Sequence, residues 1–364
     1  MTFHPIRIIY LGKKGGGLSL LEDLLTNLNL QHRPYELWLS STLNSADFSP
    51  SGNYRVIHLF SPRNFKELIN LRLLLSGATN LIKVLLTSRA EINIFLMPSP
   101  FDWAYYRILR AKKEFIITCI HDLKSHPGEK WPTINSTFFR LKMSDIIIAF
   151  SHYLASQLRL KTTKEILLAG LPKKLKLAGS MGSDVKSLIE IMQSCELPIV
   201  LLIGRQRKYK DTNAFLNLAH NFQDIALFVI AGEGATEHSG NSKTVIINRW
   251  LSNIEFMQIM GNANIVFFPY SEASQSGNIP IAMAEKKIIV ATSQHGIAEQ
   301  LSRYPLKVIY DGGEFGAISG ALAEALAIYD VSEKYNVGTL TDDLVPLPEV
   351  IDAIGLMLRT RKVQ

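Results

Sequence analysis

Short runs of aliphatic and β-branched residues recur along the chain, separated by stretches in which apolar positions return at helical spacing. In the first half these runs predict strands at residues 6–11, 35–39, 54–59, 92–96, 115–118 and 146–150. The second half repeats the arrangement at 199–203, 226–231, 244–247, 265–268, 288–291 and 307–310. Alternation of this kind predicts an α/β protein, with parallel sheets covered by helices on both faces. Between the halves, Pro, Gly and Lys cluster without periodicity over residues 171–182, which is where an interdomain linker belongs. A last helix is predicted over 346–359. The predicted organisation is thus a Rossmann-like domain over 1–172, a second over 173–345, and a C-terminal segment of about 346–364 that returns to brace the first. Two such domains imply a cleft.

The stretch 264–299 is the one around which the chemistry gathers. Ile265 to Phe268 closes at Pro269, a Ser- and Gly-rich loop follows, an Ala/Met stretch reads as helix, and Ile288 to Thr292 leads to a second loop with Gly296. A glycine just before a helix start lets backbone approach a ligand, and the free N–H groups of the first turn favour an anion. Ser274, Gln275, Ser276, Gly277, Asn278 and Ile279 are therefore a candidate anion cradle, the plain alternative being an ordinary capped helix. A second cationic element opens the second half, where IVLLIGRQRKYKD delivers Gly204 and Arg205 from a strand and Lys210 just before a helix. Two fixed cations at a strand's carboxyl end can neutralise a diphosphate leaving group without a metal, whereas a solvated basic loop is the plain alternative.

In the first half, residues 13–17 (KKGGG) form a basic glycine turn that lacks the full spacing of a nucleotide-binding loop. After the strand at Phe115 comes HDLKSHPGEK, in which His121, Asp122 and His126 lie where open α/β sheets place ligands. That spacing is not a zinc pattern. Residues 65–89 carry Leu, Ile and basic residues at helical spacing and predict two amphipathic helices broken over Ser76–Asn80. They suit either an anionic membrane surface or a core-facing helix with a solvated basic edge. Trp103, Tyr105, Tyr106, Arg107 and Arg110 form an aromatic and basic cluster compatible with an interface or with packing.

Composition narrows the classes. A hydrophobic share of 47% and a charged share of 20% describe a globular protein, and 364 residues exceed what one core usually holds. Cys119 and Cys195 have no partner pattern and are expected as reduced thiols in a cytoplasmic protein. The N-terminal apolar run is too short for a signal peptide, and no run approaches the roughly 18 residues of a membrane span. Charge is uneven: residues 1–175 hold 23 Lys and Arg against 12 Asp and Glu, the remainder 16 against 20. A basic half suits a phosphorylated partner or an anionic membrane face. No nucleic-acid motif accompanies it.

Arg205 and Lys210 in this setting, FVIAGEG at 228–234, the turn at 248–251, NANIVFFPY with SQSG, AMAEKKIIVAT and HGIAE stand in the order they hold in family 4 glycosyltransferases of the GT-B fold. Over residues 199–300 the chain resembles that family. The first half resembles it more loosely, through Gly16 and Gly17 in the glycine loop and His121 at a histidine that faces the donor sugar. The resemblance implies a retaining, metal-independent transferase with a UDP- or GDP-sugar as donor and no cofactor. Arg205 and Lys210 would bind the diphosphate; His126 and Asp122 are acceptor-side candidates on their position after the strand alone. It also implies a glycan or lipid-diphosphate-linked acceptor, in bacterial surface polysaccharide synthesis at the inner face of the plasma membrane. One departure stands out: the family's Glu, seven residues, Glu pattern is replaced by Ser274 and Ala282, or Ile281 in a second register, as in an SQSG-type branch. Two other classes follow from that loss, a catalytically silent GT-B partner or sugar-binding protein and, last, a GT-B sugar-nucleotide epimerase.

Overall fold

The computed structural model describes residues 6–12, 17–41, 43, 54–59, 71–100, 102–123, 133–177, 179–235, 244–332 and 344–363. These fall into two compact units, one made of the described residues up to 171 together with 344–363, the other of 172–332.

The first unit is built on seven parallel strands, β1 (Ile6–Tyr10), β2 (Tyr35–Ser40), β3 (Tyr54–Leu59), β4 (Ile92–Met97), β5 (Ile116–Ile120), β6 (Ile146–Ala149) and β7 (Glu165–Leu168). Their order is β3-β2-β1-β4-β5-β6-β7, so the winding reverses between β1 and β4. Helices α1 (Gly17–Leu30), α2 (Leu71–Leu86), α3 (Asp102–Ala111), α4 (Ile134–Met143) and α5 (His152–Arg159) cover the sheet. The second unit adds α6 (Ser183–Ser194), α7 (Thr212–Phe222), α8 (Asn253–Asn262), α9 (Asn278–Ala284), α10 (His295–Gln300) and α11 (Phe315–Ser332) around six strands. These are β8 (Ile199–Ile203), β9 (Leu227–Ala231), β10 (Val245–Ile247), β11 (Ile265–Phe268), β12 (Ile288–Thr292) and β13 (Lys307–Tyr310), ordered β10-β9-β8-β11-β12-β13. Strands such as IVLLI and IVFF read as unbroken apolar runs because both faces are covered. One face packs on α6, α8, α9 and α10, the other on α7 and α11.

The last helix, α12 (Leu347–Val363), belongs to the first unit. Leu347, Val350, Ile351 and Ile354 join the core beneath α1, Gly170 N donates to Val345 O at 2.7 Å, and Asp352 pairs with Arg33 at 2.5 Å. The presumed linker is fastened to the second unit. Asn253 Nδ2 donates to Lys176 O, Ser252 Oγ to Ser180 O, and Gly182 N to Glu255, whose carboxylate also caps α8 and binds Arg249. Two elements differ from the sequence reading. Helix α2 runs unbroken through Ser76–Asn80, since one Gly and one Ser cost a helix too little to stop it when its neighbours are Leu-rich. Strand β7 was not predicted: it is four residues long, partly exposed and at the sheet edge.

The first sheet is tied at its amino end by Arg7, which is fully buried. Its guanidinium donates to Glu36 at 2.7 Å, Glu114 at 2.7 Å, Asn93 at 2.8 Å and the Ser88 carbonyl at 2.7 Å, and lies 4.3 Å from the Trp38 ring centroid. Lys112 reaches the other oxygen of Glu114 at 3.3 Å, so two cations balance two carboxylates. Arg140 is likewise buried, donating to Cys119 O and lying 3.5 Å from Asp102. These buried cations are matched by carboxylates of the same half, so the positive excess of that half lies in its other Lys and Arg residues.

Breaking such a network strands buried carboxylates. Arg7→Met is expected to lower unfolding free energy by about 3–5 kcal/mol in urea melts followed by tryptophan fluorescence. A loss under about 1 kcal/mol would show that the network does not hold the sheet together.

Candidate functional site

The carboxyl edge of the second sheet gathers most of the predicted site. At the end of β8 the chain turns at Gly204, with φ +98°, and its N–H donates to Ala231 O at 2.8 Å. The chain leaving β9 crosses here: Gly232 has φ +145°, and a Cβ on it would overlap the Gly204 carbonyl oxygen. Only glycine tolerates both that conformation and that approach. Two side chains lie over Gly204, since a Cβ there would meet Asn278 Nδ2 at 2.7 Å and Lys210 Nζ at 3.4 Å. Gly204, Lys210 and Asn278, three of the residues singled out in the sequence, therefore lie together at this edge. The Asn278 amide is committed inward, donating to Ile203 O at 3.1 Å.

Lys210 is 6% exposed, and its backbone forms a bridge with Tyr270. Its ammonium lies 5.1 Å from the Tyr270 ring centroid, and among the described residues no carboxylate pairs with it. Burial pushes its pKa down, with Tyr209 raising it and Arg207 lowering it to lesser degrees. A buried ammonium that faces a ring and has no carboxylate partner among the described residues can accept an anion. Arg205 is of a different kind. It is 40% exposed and pairs with Glu233 at 2.6 Å, and that hydrogen bond holds the Glu233 carboxyl below the usual range.

Around the SQSG loop, Gln300 of α10 grips the backbone of Ser276, accepting from its N–H at 2.7 Å and donating to its carbonyl at 3.2 Å. Ser274 packs against the first turn of α10, where a Cβ on Gly296 would overlap the Ser274 carbonyl oxygen. Gln275 is half-buried in the same loop. Gly277 precedes α9 with ordinary helical angles, φ −66° and ψ −18°, is exposed, and has open space where a side chain would start. Ile279 is buried in the core below. At seven residues α9 has a modest dipole, so Lys210 is the stronger positive feature of this edge.

In the first unit, His121 follows β5. Its Nε2 lies 2.9 Å from the Leu96 carbonyl, an acceptor only, so the proton sits on Nε2 and Nδ1 is the acceptor. The ring stacks on Phe150 at 4.8 Å. Burial lowers the imidazole pKa, against the raising effects of the Leu96 bond and Asp122 beside it. Gly17 begins α1 and backs onto Met97 and Tyr10. Gly16 and His126 lie outside the described residues. Tyr105 and Tyr106 are core residues, whereas Trp103 is exposed beneath Arg107, 5.3 Å from its ring centroid. Among the described residues, no three His, Cys, Asp or Glu side chains converge as a metal site.

Sequence reading missed Tyr270, Gln300 and Glu233. The position of Tyr270, just past Pro269 at a strand end, was a usable signal; Gln300 offered none.

No family model and no curated protein matches the sequence. Solved structures do. A glycosyltransferase from Rickettsia africae ESF-5 aligns with a TM-score of 0.67 at 14% identity, over 99% of this chain and 97% of that one. Sucrose-phosphate synthase from Thermosynechococcus elongatus gives 0.69 at 13%, over 99% of each chain. Anabaena HepE in complex with UDP and glucose gives 0.67 at 12%, over 98% and 99%. At this identity the likeness establishes the fold, which is GT-B.

A fold that disfavours imidazolium loses stability as pH drops below the unfolded histidine value of about 6.5, because protonation then favours the unfolded chain. His121 is expected to titrate below 6.5 in an NMR pH series, with the Nε2–H tautomer above that range. A value at or above 6.5 would contradict the neutral, carbonyl-bound ring.

Proposed function

We propose that the chain is a retaining glycosyltransferase that takes a sugar from a UDP- or GDP-sugar and passes it to a glycan or lipid-diphosphate-linked acceptor. The observation that carries this reading is the buried Lys210 ammonium over Gly204, at the carboxyl edge of a GT-B second unit and without a carboxylate partner among the described residues. Departure of a nucleoside diphosphate builds negative charge on its phosphate oxygens. Lys210 and Arg205 answer that charge as fixed cations in the role a metal ion would otherwise fill, and the N–H groups at Gly277 to Ile279 add to it. A phosphate oxygen of the leaving group takes the proton of the incoming hydroxyl on the same face of the sugar, which retains the anomeric configuration. His121, neutral, positions the donor sugar, and Asp122 and His126 serve the acceptor side. HepE was solved with UDP and with UDP-glucose, which supports a uridine donor as the first to try.

One observation favours a second reading. Ala282, at the position of the family's second glutamate, is fully buried and offers no carboxylate for ribose hydroxyls. A catalytically silent sugar-nucleotide-binding partner would tolerate that loss.

Thermal unfolding with UDP, GDP, dTDP, CMP and the matching sugar nucleotides separates the two when joined to a transfer assay. A ligand at about 100 times its Kd adds roughly 2.7 kcal/mol, a clear shift. Lys210→Met and Arg205→Ala are each expected to abolish or blunt it, with a transfer loss on the order of a few kcal/mol in kcat/KM. Full transfer by either variant would remove that residue from the mechanism, and binding without transfer would favour the silent partner.

The membrane side of the proposal places the protein in the cytoplasm, peripheral at the inner face, in bacterial surface polysaccharide synthesis. No described helix is long and apolar enough to cross a membrane. Helix α2 instead exposes Ile82, Leu85 and, at 81%, Leu86, next to exposed Lys83. An apolar edge with cations beside it suits an anionic lipid surface. Flotation with phosphatidylglycerol vesicles is expected to carry the protein upward at low salt, and Leu85→Glu with Leu86→Glu to abolish it. Flotation unchanged by both substitutions would move the contact elsewhere.

A further inference from the structure

We propose that Tyr270 is a positioning residue of the diphosphate site, holding the Lys210 ammonium in place without spending its charge. The inference rests on the donor-site reading above. A carboxylate beside a buried lysine fixes it at the cost of neutralising it, and an arriving phosphate must then compete with that carboxylate. A ring face attracts the ammonium through its quadrupole and carries no net charge, so the cation keeps its full attraction for an anion. The contrast is present in the same edge. Arg205 is exposed and already bound to Glu233 at 2.6 Å, while Lys210 is buried with the ring at 5.1 Å.

Tyr270 is held as a fixed platform. Its backbone bridges to Lys210, its carbonyl accepts from Thr292 Oγ1 at 2.8 Å, and the Tyr209 and Phe268 rings meet it edge-on, each at 5.6 Å. Its phenol oxygen lies 3.5 Å from Ser276 Oγ, and Ser276 is the residue that Gln300 grips on both backbone atoms. The ring thus ties the cation after β8 to the SQSG loop after β11 and, through Gln300, to α10. Ring, loop and cation form one unit, and the position of Lys210 is set before any ligand arrives.

The test compares UDP with uridine, which lacks the phosphates, in the wild type, Tyr270→Phe, Tyr270→Met and Lys210→Met by calorimetric titration. Tyr270→Phe keeps the ring and is expected to bind UDP within about threefold of the wild type. Tyr270→Met removes the ring but keeps a flexible apolar side chain, and is expected to weaken UDP by about tenfold while leaving uridine unchanged, the range a desolvated cation–π contact supports. Adding Tyr270→Met to Lys210→Met should cost no further affinity, because the ring acts through the lysine. Unaltered UDP affinity in Tyr270→Met, or equal weakening of UDP and uridine, overturns the inference and leaves the donor site standing. Failure of the wild type to bind any nucleoside diphosphate overturns the donor-site reading, and this inference with it. If Tyr270→Met does not fold, full additivity of Tyr270→Phe and Lys210→Met in UDP binding, with a loss in Tyr270→Phe of tenfold or more, overturns it by assigning the effect to the hydroxyl.

Discussion

Where the chain leaves β8, its backbone passes against the backbone leaving β9, close enough that a Cβ on Gly232 would overlap the carbonyl oxygen of Gly204. The rest of the carboxyl edge depends on that approach. With no side chain between them, the two turns lie flush, and Gly204 presents a bare patch over which Lys210 and Asn278 can lie. Asn278 then locks the start of α9 to the Ile203 carbonyl, so the SQSG loop and the β8 turn become one surface. A side chain at Gly232 would push the turns apart, and one at Gly204 would displace the Asn278 amide and crowd the Lys210 ammonium.

The two units use buried cations in opposite ways. Arg7 is fully buried, and its donors go to two glutamates, an asparagine and a carbonyl, with an indole ring against its face. Nothing about it invites a further partner, and its energy goes into keeping β1, β2, β4 and the start of β5 in register. Lys210 is nearly as buried but has a ring where Arg7 has carboxylates. The same desolvation is offset by carboxylates in one place and by a ring face in the other, with no carboxylate partner among the described residues.

Most strands were legible in the sequence because parallel strands covered on both faces demand unbroken apolar runs, and the runs at Ile199, Ile265 and Lys307 gave their limits directly. β7 was not, since an edge strand of four residues carries too little pattern. Of the site, Gly204, Lys210 and the SQSG loop were legible as local motifs: a glycine after a strand, a cation before a helix, a glycine at a helix start. What could not be read is what the topology assembles. Gln300 reaches Ser276 only because α10 folds back over the loop, and Tyr270 lies beside Lys210 only because β11 neighbours β8 in the sheet. The role of Arg7 was equally illegible, because its partners Glu36, Asn93 and Glu114 are 29, 86 and 107 residues away in sequence.

The core of the first unit draws on both ends of the sequence. Leu347, Val350, Ile351 and Ile354 complete the apolar layer beneath α1, and Asp352 anchors to Arg33. The described residues of the second unit, all within 172–332, follow one another in sequence between those two parts. A chain emerging from the ribosome therefore has everything the second core needs before that wall of the first core is made. The unit begun first is closed only after the other has been made.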